Sequence, residues 1–267
     1  MKNKIITCSD LHGRDTWKLI DPKEYDKIIF VGMKKIITIS DLHGRDTWKL
    51  IDPKEYFKLV FLGDYVDSFH ISNTIMKQNL LDIIQFKKDN IDKVILLLGN
   101  HDIGVIHSPL YRCSGFRPEM LWDFQEIFRD NRKLFQVAYQ VNNYLWSHAG
   151  LHKGYYKYKI EPHIEKEDVN LADTLNRMYE MNMEELHDVG LLRGGSNSVG
   201  GIFWADKNES SKKPLPGYHQ IVGHHPVEKI TITKSDSCSI TYTDIFSYKE
   251  KFNDEVVIEK DFYILEI

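Results

Sequence analysis

The sequence predicts a mixed α/β protein, parallel in its first half and antiparallel later. Three observations point there. Short β-branched runs alternate with helix-length segments from Lys35 to Leu98, the β-α-β-α-β pattern of a parallel sheet. Asn142-Asn143 separates two apolar runs, as in a tight hairpin. From Ile221 onward, short strand-like runs follow one another closely.

Lys35–Ser40 and Phe57–Leu62 are the first two strands of this pattern. Between them lies Arg45–Tyr56, with Asp46-Thr47 as a helix start and Pro53 as a break. Asn73–Lys88 carries Ile75, Met76, Leu80, Ile83 and Ile84 at helical spacing. Lys93–Leu98 is continuously apolar and reads as a buried strand. Glu119–Arg132 reads as a helix, Leu134–Val141 and Tyr144–Ser147 as hairpin strands, and Asp168–His187 as a polar surface helix. Strands are expected at Gln220–Val222, Lys229–Lys234, Ser239–Thr243 and Val256–Ile267. Arg193–Gly201 and Lys207–Gly217 read as loops.

Composition excludes several classes. At 42% hydrophobic residues and a net charge of 35 − 39 = −4, the chain is not disordered, and general binding to nucleic acid is disfavoured. The apolar run Val94–Leu98 is far short of a membrane span, and Met1–Thr7 shows no secretory signal. Cys8, Cys113 and Cys238 cannot form a complete disulfide set, so a reduced, cytoplasmic setting is expected.

The chain also repeats itself. Shifted by 31, Lys4–Gly32 aligns with Lys35–Gly63, identical at 24 of 29 positions. Two copies do not make a solenoid. Residues 1–32 therefore read as a partial tandem duplicate of the N-terminal β-α-β segment, ahead of a single domain at 33–267.

Five short motifs stand at predicted strand ends: Asp41-Leu42-His43-Gly44, Gly63-Asp64-Tyr65-Val66-Asp67, Gly99-Asn100-His101-Asp102, Ser147-His148-Ala149-Gly150 and Gly223-His224-His225-Pro226. Asp and His two apart at a strand end point to one side. Carboxylates at strand C-termini sit where open α/β sheets bind ligands. Each motif alone is as well read as an ordinary loop. Together they deliver Asp, Asn and His, which suit hard and borderline divalent metals.

As a set, these motifs resemble the calcineurin-like metallophosphoesterases, and DLHG, GDYVD, GNHD and SHAG are closest to the phosphoprotein phosphatase branch and its phage and bacterial relatives. The resemblance implies a four-layer α/β/β/α sandwich of two mixed sheets flanked by helices, with two divalent metal ions, manganese first and Fe, Zn or Ni as alternatives. It assigns Asp41 and His43 to one metal, Asp64 to both, and Asn100, His148 and His224 to the other. His101 would protonate the leaving oxygen, with Asp67 orienting it. Pairing with a carboxylate favours the imidazolium form that such an acid needs. Two such ions can clamp an in-line displacement by a metal-bridging hydroxide. The implied activity is hydrolysis of phosphomonoesters, phosphoserine and phosphothreonine included, in protein or small-molecule substrates. Hydrolysis of nucleotides or dinucleoside polyphosphates is the alternative, and a non-catalytic binding scaffold a more distant one.

Departures narrow the resemblance. Ser68-Phe69 follows Asp67 where many relatives have Arg-Gly, and Leu98 stands where many have arginine. Arg193 is the preferred replacement for gripping phosphate, ahead of Arg112 and Arg117. His225 reads as structural, and Asp206 as a loop contact near the site. His70, His107, His152, His163, His187 and His219 belong to no motif, and packing or surface exposure is expected for Tyr155, Tyr156 and Tyr158. The first repeat carries its own Asp10 and His12, but Met33 follows Gly32 where Asp64 follows Gly63. The site is therefore placed at Asp41 and His43, with Phe57 expected to bury at the start of its strand; Asp10 and His12 in their stead is the alternative.

Overall fold

A computed structural model of the protein describes residues 5–9, 23, 27–31, 34–52, 54–252 and 262–267. In chain order the elements are β1 Ile5–Ser9, β2 Lys27–Val31, β3 Lys35–Ile39, β4 Lys58–Phe61, α1 Asn73–Asp89, β5 Val94–Leu97, α2 Asn100–Ile106, α3 Leu121–Asp130, β6 Phe135–Gln136, β7 Ala138–Val141 and β8 Tyr144–Ser147. There follow α4 Lys153–Tyr155, α5 Leu171–Glu180, α6 Lys207–Ser210, β9 His219–Pro226, β10 Thr231–Ser235, β11 Cys238–Asp244, α7 Phe246–Phe252 and β12 Tyr263–Glu266.

Two five-stranded mixed sheets are formed. The first runs β12-β3-β4-β5-β6, parallel throughout except where β12 pairs antiparallel with β3. The second runs β10-β11-β9-β8-β7. Side chains alternate along the first sheet, as the two-residue strand period requires. Leu59 and Phe61 of β4 join one apolar cluster with Met76, Leu80 and Ile83 of α1. Val60, with Ile36, Leu97 and Leu265, meets Trp146 and Ile221 of the other sheet. Flanking helices and facing sheets thus give the expected sandwich.

Several expectations change. The late sheet is mixed rather than antiparallel: β9 lies between β8 and β11 and is parallel to both. The long connection between β8 and β9 permits that crossover. Asp168–His187 is not one helix. Asn170 caps α5, which ends before Asn182 takes a left-handed backbone, and a separate 3₁₀ turn covers Glu184–His187. Arg45–Tyr56 yields only a 3₁₀ turn at Thr47–Leu50. Phe57 is not buried; it is 40% exposed, with the Lys34 ammonium 4.4 Å from its ring centroid. Of the expected last strand, residues 263–266 are observed and 256–261 lie outside the described residues.

β1 and β2 pair with each other in parallel, in the register of β3 on β4: Ile5 faces Lys27 as Ile36 faces Lys58. Asp10 and His12 lie outside the described residues. Among the described residues no helix is long and apolar enough to cross a membrane.

Candidate metal centre

The five motifs converge at the C-terminal ends of β3, β4, β5, β8 and within β9. Seven of the nine predicted site residues line one cavity of ≈ 310 Å³: Asp41, His43, Asp64, Asn100, His101, Arg193 and His224. His148 and Asp67 are buried behind it.

The backbone there is strained. Seven described non-glycine residues have positive φ, and five are Asp41, His43, Asp64, Asp67 and His224. The other two are asparagines, Asn142 and Asn182, a residue type that tolerates this region. Such strain persists only where the surrounding structure imposes it. Asp102 supplies much of that imposition. Its carboxylate accepts the N–H groups of Asp64 (2.8 Å), Tyr65 (3.0 Å) and Gly99 (2.9 Å), stitching two motifs together. Asp64 Oδ1 in turn accepts the His101 N–H at 2.9 Å.

Hydrogen bonds set the imidazole orientations. His43 Nδ1 lies 2.8 Å from the Asp67 carbonyl and 3.0 Å from that of Val66; His148 Nδ1 lies 2.9 Å from the Leu62 carbonyl. Donation from Nδ1 leaves each Nε2 as an open acceptor. These nitrogens face Asp64 Oδ2, at 3.8 Å from His43 and 3.4 Å from His148. Asn100 donates its amide N–H₂ to Cys113 Sγ at 3.3 Å, which turns Oδ1 inward. Oδ1 then sits 2.8 Å from both His148 Nε2 and His224 Nδ1. Two acceptors, Asn100 Oδ1 and His148 Nε2, facing each other at 2.8 Å repel unless a cation lies between them. His224 Nε2 is buried with no partner.

Two candidate cation groups result, His43–Asp64–His101 and Asp64–His148–His224, each with ligand atoms within 4.8 Å of one another. Asp64 is common to both. Asp41 belongs to neither group; its carboxylate accepts the His224 N–H at 3.0 Å on the wall of the same cavity. Burial, then the nearby Asp244, raises the Asp41 carboxyl; burial, then Asp41, raises that of Asp64. Burial pushes His43 and His148 down to about 3. A site that keeps its imidazoles neutral and needs positive charge for its carboxylates fits divalent cations.

His101, a member of the first group, has its Nδ1 3.1 Å from Asp67 Oδ2. Burial lowers the imidazole to about 4 and raises the Asp67 carboxyl to about 7, so desolvation opposes the imidazolium that the pairing favours. In contact, the two groups titrate as a pair.

Arg193 is oriented by Asp206, Nε to Oδ2 at 2.9 Å, and Asp206 also lies 3.0 Å from His225 Nε2 while capping α6. Arg117 is engaged elsewhere, donating to the Ser68 carbonyl at 2.5 Å and to Asn73 Oδ1. Arg112 lines the cavity mouth. Sequence reasoning assigned nothing to Asp102, Asp244, Cys113 or Trp204. Asp102 alone carried a signal, its place in the third motif; the others join the site through tertiary contacts.

The family description for calcineurin-like phosphoesterases matches residues 4–258. Among solved structures, a cold-active protein-tyrosine phosphatase of the psychrophile Shewanella sp. is 19% identical, with a TM-score of 0.50 over 78% of this chain and 71% of that one. Another structure of a cold-active protein tyrosine phosphatase gives 0.51 at 19% identity, over 78% and 69%. A protein serine/threonine phosphatase from Saccharomyces cerevisiae gives 0.47 at 14%, over 91% and 72%. At 19% identity, the likeness to the two tyrosine phosphatase structures is one of fold. No curated protein matches the chain.

Proposed function

We propose that this chain, a member of the calcineurin-like phosphoesterase family, is a metal-dependent phosphatase acting on phosphomonoesters, phosphoserine and phosphothreonine among them. The observation that carries the reading is the pair of cation groups sharing Asp64, one of which includes His101, itself 3.1 Å from Asp67.

Asp41, on the cavity wall, would join His43 and Asp64 in holding one divalent cation, and Asp64, Asn100, His148 and His224 would hold the other. Manganese suits this oxygen- and imidazole-rich set, and Fe, Zn or Ni could be accepted. Two such ions, when bound, lower the pKa of water and neutralise charge on a phosphoryl group. His101 gives a proton to the leaving oxygen from Nε2. Asp67, 3.1 Å from Nδ1, holds the ring in place for that transfer. Arg193, braced by Asp206, grips the phosphate. The unpaired thiols of Cys113 and Cys238 support a reducing, cytoplasmic location.

A second reading, hydrolysis of nucleotides or dinucleoside polyphosphates at the same centre, is favoured by the size of the cavity, which matches a small ligand. Metal analysis with turnover of p-nitrophenyl phosphate tests the main reading. Manganese-loaded protein is expected to bind about two ions per chain and to turn over; inert protein with both ions bound sinks it.

A further inference from the structure

We infer that Arg112 forms a second anion site at the cavity mouth, selecting small-molecule phosphomonoesters that carry a second phosphate. This rests on the phosphatase reading and narrows its substrate. Two arginines line the cavity, and they differ in what already answers their charge. Arg193 already has a carboxylate, that of Asp206, 2.9 Å from its Nε. Arg112 is exposed, and no ion pair among the described residues uses it. Arg45 and Arg117, the other arginines near the motifs, spend donors on the backbone carbonyls of Asp41 and Ser68.

The chain on either side of Arg112 is held in place. The next residue, Cys113, meets Asn100 through its amide and its carbonyl, at 3.3 and 3.4 Å. On the other side, the Tyr111 carbonyl packs so close to Gly104 that a Cβ there would approach it to 2.3 Å. The guanidinium carbon lies 5.6 Å from the Phe116 ring centroid, a contact that orients the fork. Ser114, exposed on the same loop, adds a hydroxyl to the lining. A guanidinium without an ion pair among the described residues, lining a phosphate-processing cavity, can recognise an anion bidentately. A cavity of ≈ 310 Å³ suits a compact ligand.

Adenosine 3′,5′-bisphosphate and adenosine 5′-monophosphate differ by one phosphate and serve as probes. Calorimetry on the full, manganese-loaded chain is expected to show the bisphosphate binding about tenfold tighter, the scale of one charge-assisted hydrogen bond. Arg112→Ala should bring that ratio below about two, and Arg112→Lys should retain part of it. A wild-type ratio near one overturns the inference, as does an unchanged ratio in a folded Arg112→Ala or Arg112→Gln protein. So does an Arg112-dependent preference seen only with phosphopeptides bearing acidic neighbours. Binding is read apart from turnover. A normal ratio without hydrolysis of either nucleotide would count against the phosphatase reading and leave the anion site standing.

Discussion

Gly63 lies so close to Gly99 that a Cβ on Gly63 would stand 2.1 Å from the Gly99 nitrogen. This contact brings the ends of β4 and β5 together, so that Asp64 and Asn100 can serve one centre. Gly63 also has a φ of +98°, which a side chain rarely adopts. Gly63→Ala must therefore push the two backbones apart. A destabilisation of about 3 kcal/mol or more is expected, from overpacking plus backbone strain. Metal content and activity should fall with it. A variant as stable as wild type in urea would show that the two loops are not in contact.

Roles within the centre separate by two substitutions. Asp64→Asn removes the carboxylate common to both cation groups, so metal content and turnover should be lost together. His101→Asn leaves the six proposed ligands in place and should lower turnover by about 10²–10⁴ with metal content near normal. Elemental analysis alongside kinetics on purified variants separates the two. Full turnover by His101→Asn would remove this residue from the proton-transfer step.

Much of this site was legible in the sequence because strand periodicity and glycine punctuation are local properties. The residues of DLHG, GDYVD, GNHD and SHAG needed only a strand before them to be placed at a common edge. The rest depended on partners distant in the chain. Asp102 sits inside a recognised motif, yet its partners Asp64 and Tyr65 lie in another. The parallel pairing of β9 with β8 depends on the long crossover between them, whose path no local pattern encodes. Phe57 looked like a buried strand start, but the ammonium groups of Lys34 and Lys58 lie over its ring and stabilise it in the open.

The two sheets are tied by a buried hydrogen bond, Trp146 Nε1 to Thr38 Oγ1 at 2.9 Å. Thr38→Val would keep the shape and strand the indole N–H in an apolar layer, a loss of about 1–3 kcal/mol. Pairing it with Trp146→Phe removes both polar partners. A double-mutant cycle in denaturant is expected to show a coupling of about 1 kcal/mol. Additive losses would mean that the bond does not form.

Away from the centre, His187 is stacked between Tyr111 and Phe203, at 5.3 and 5.4 Å between ring centroids. Burial, then the neighbouring His107, lowers it to about 4, against about 6.5 in the unfolded chain. Between these values the unfolded chain binds more protons, so stability is present above about pH 6.5 and is lost as pH falls toward 4. The contribution is on the order of 3 kcal/mol. His187→Phe preserves the stack and removes the titration. In chelator, urea midpoints from pH 6.5 to 4 should fall less steeply for this variant than for wild type. Parallel slopes would place His187 in water.

The duplicated lead offers the last test. β1 and β2 repeat the pairing register of β3 and β4, so the two copies are near-equal candidates for the same place in the first sheet. Covalent order breaks the tie for the second strand. Gly63-Asp64 follows directly from β4, whereas Gly32 leads into Met33, so β2 cannot stand in for β4 without withdrawing Asp64. Only the first strand could be exchanged, delivering Asp10 and His12 for Asp41 and His43. Closing the longer loop would add little entropy cost, because that cost grows slowly with length. Retaining β3 keeps the short β3-to-β4 connection, so deletion of residues 1–32 should leave metal content and activity within about twofold of the full chain. Asp41→Asn in the full chain should lose metal, and Asp10→Asn should not. The reverse pattern would seat the first copy in the sheet.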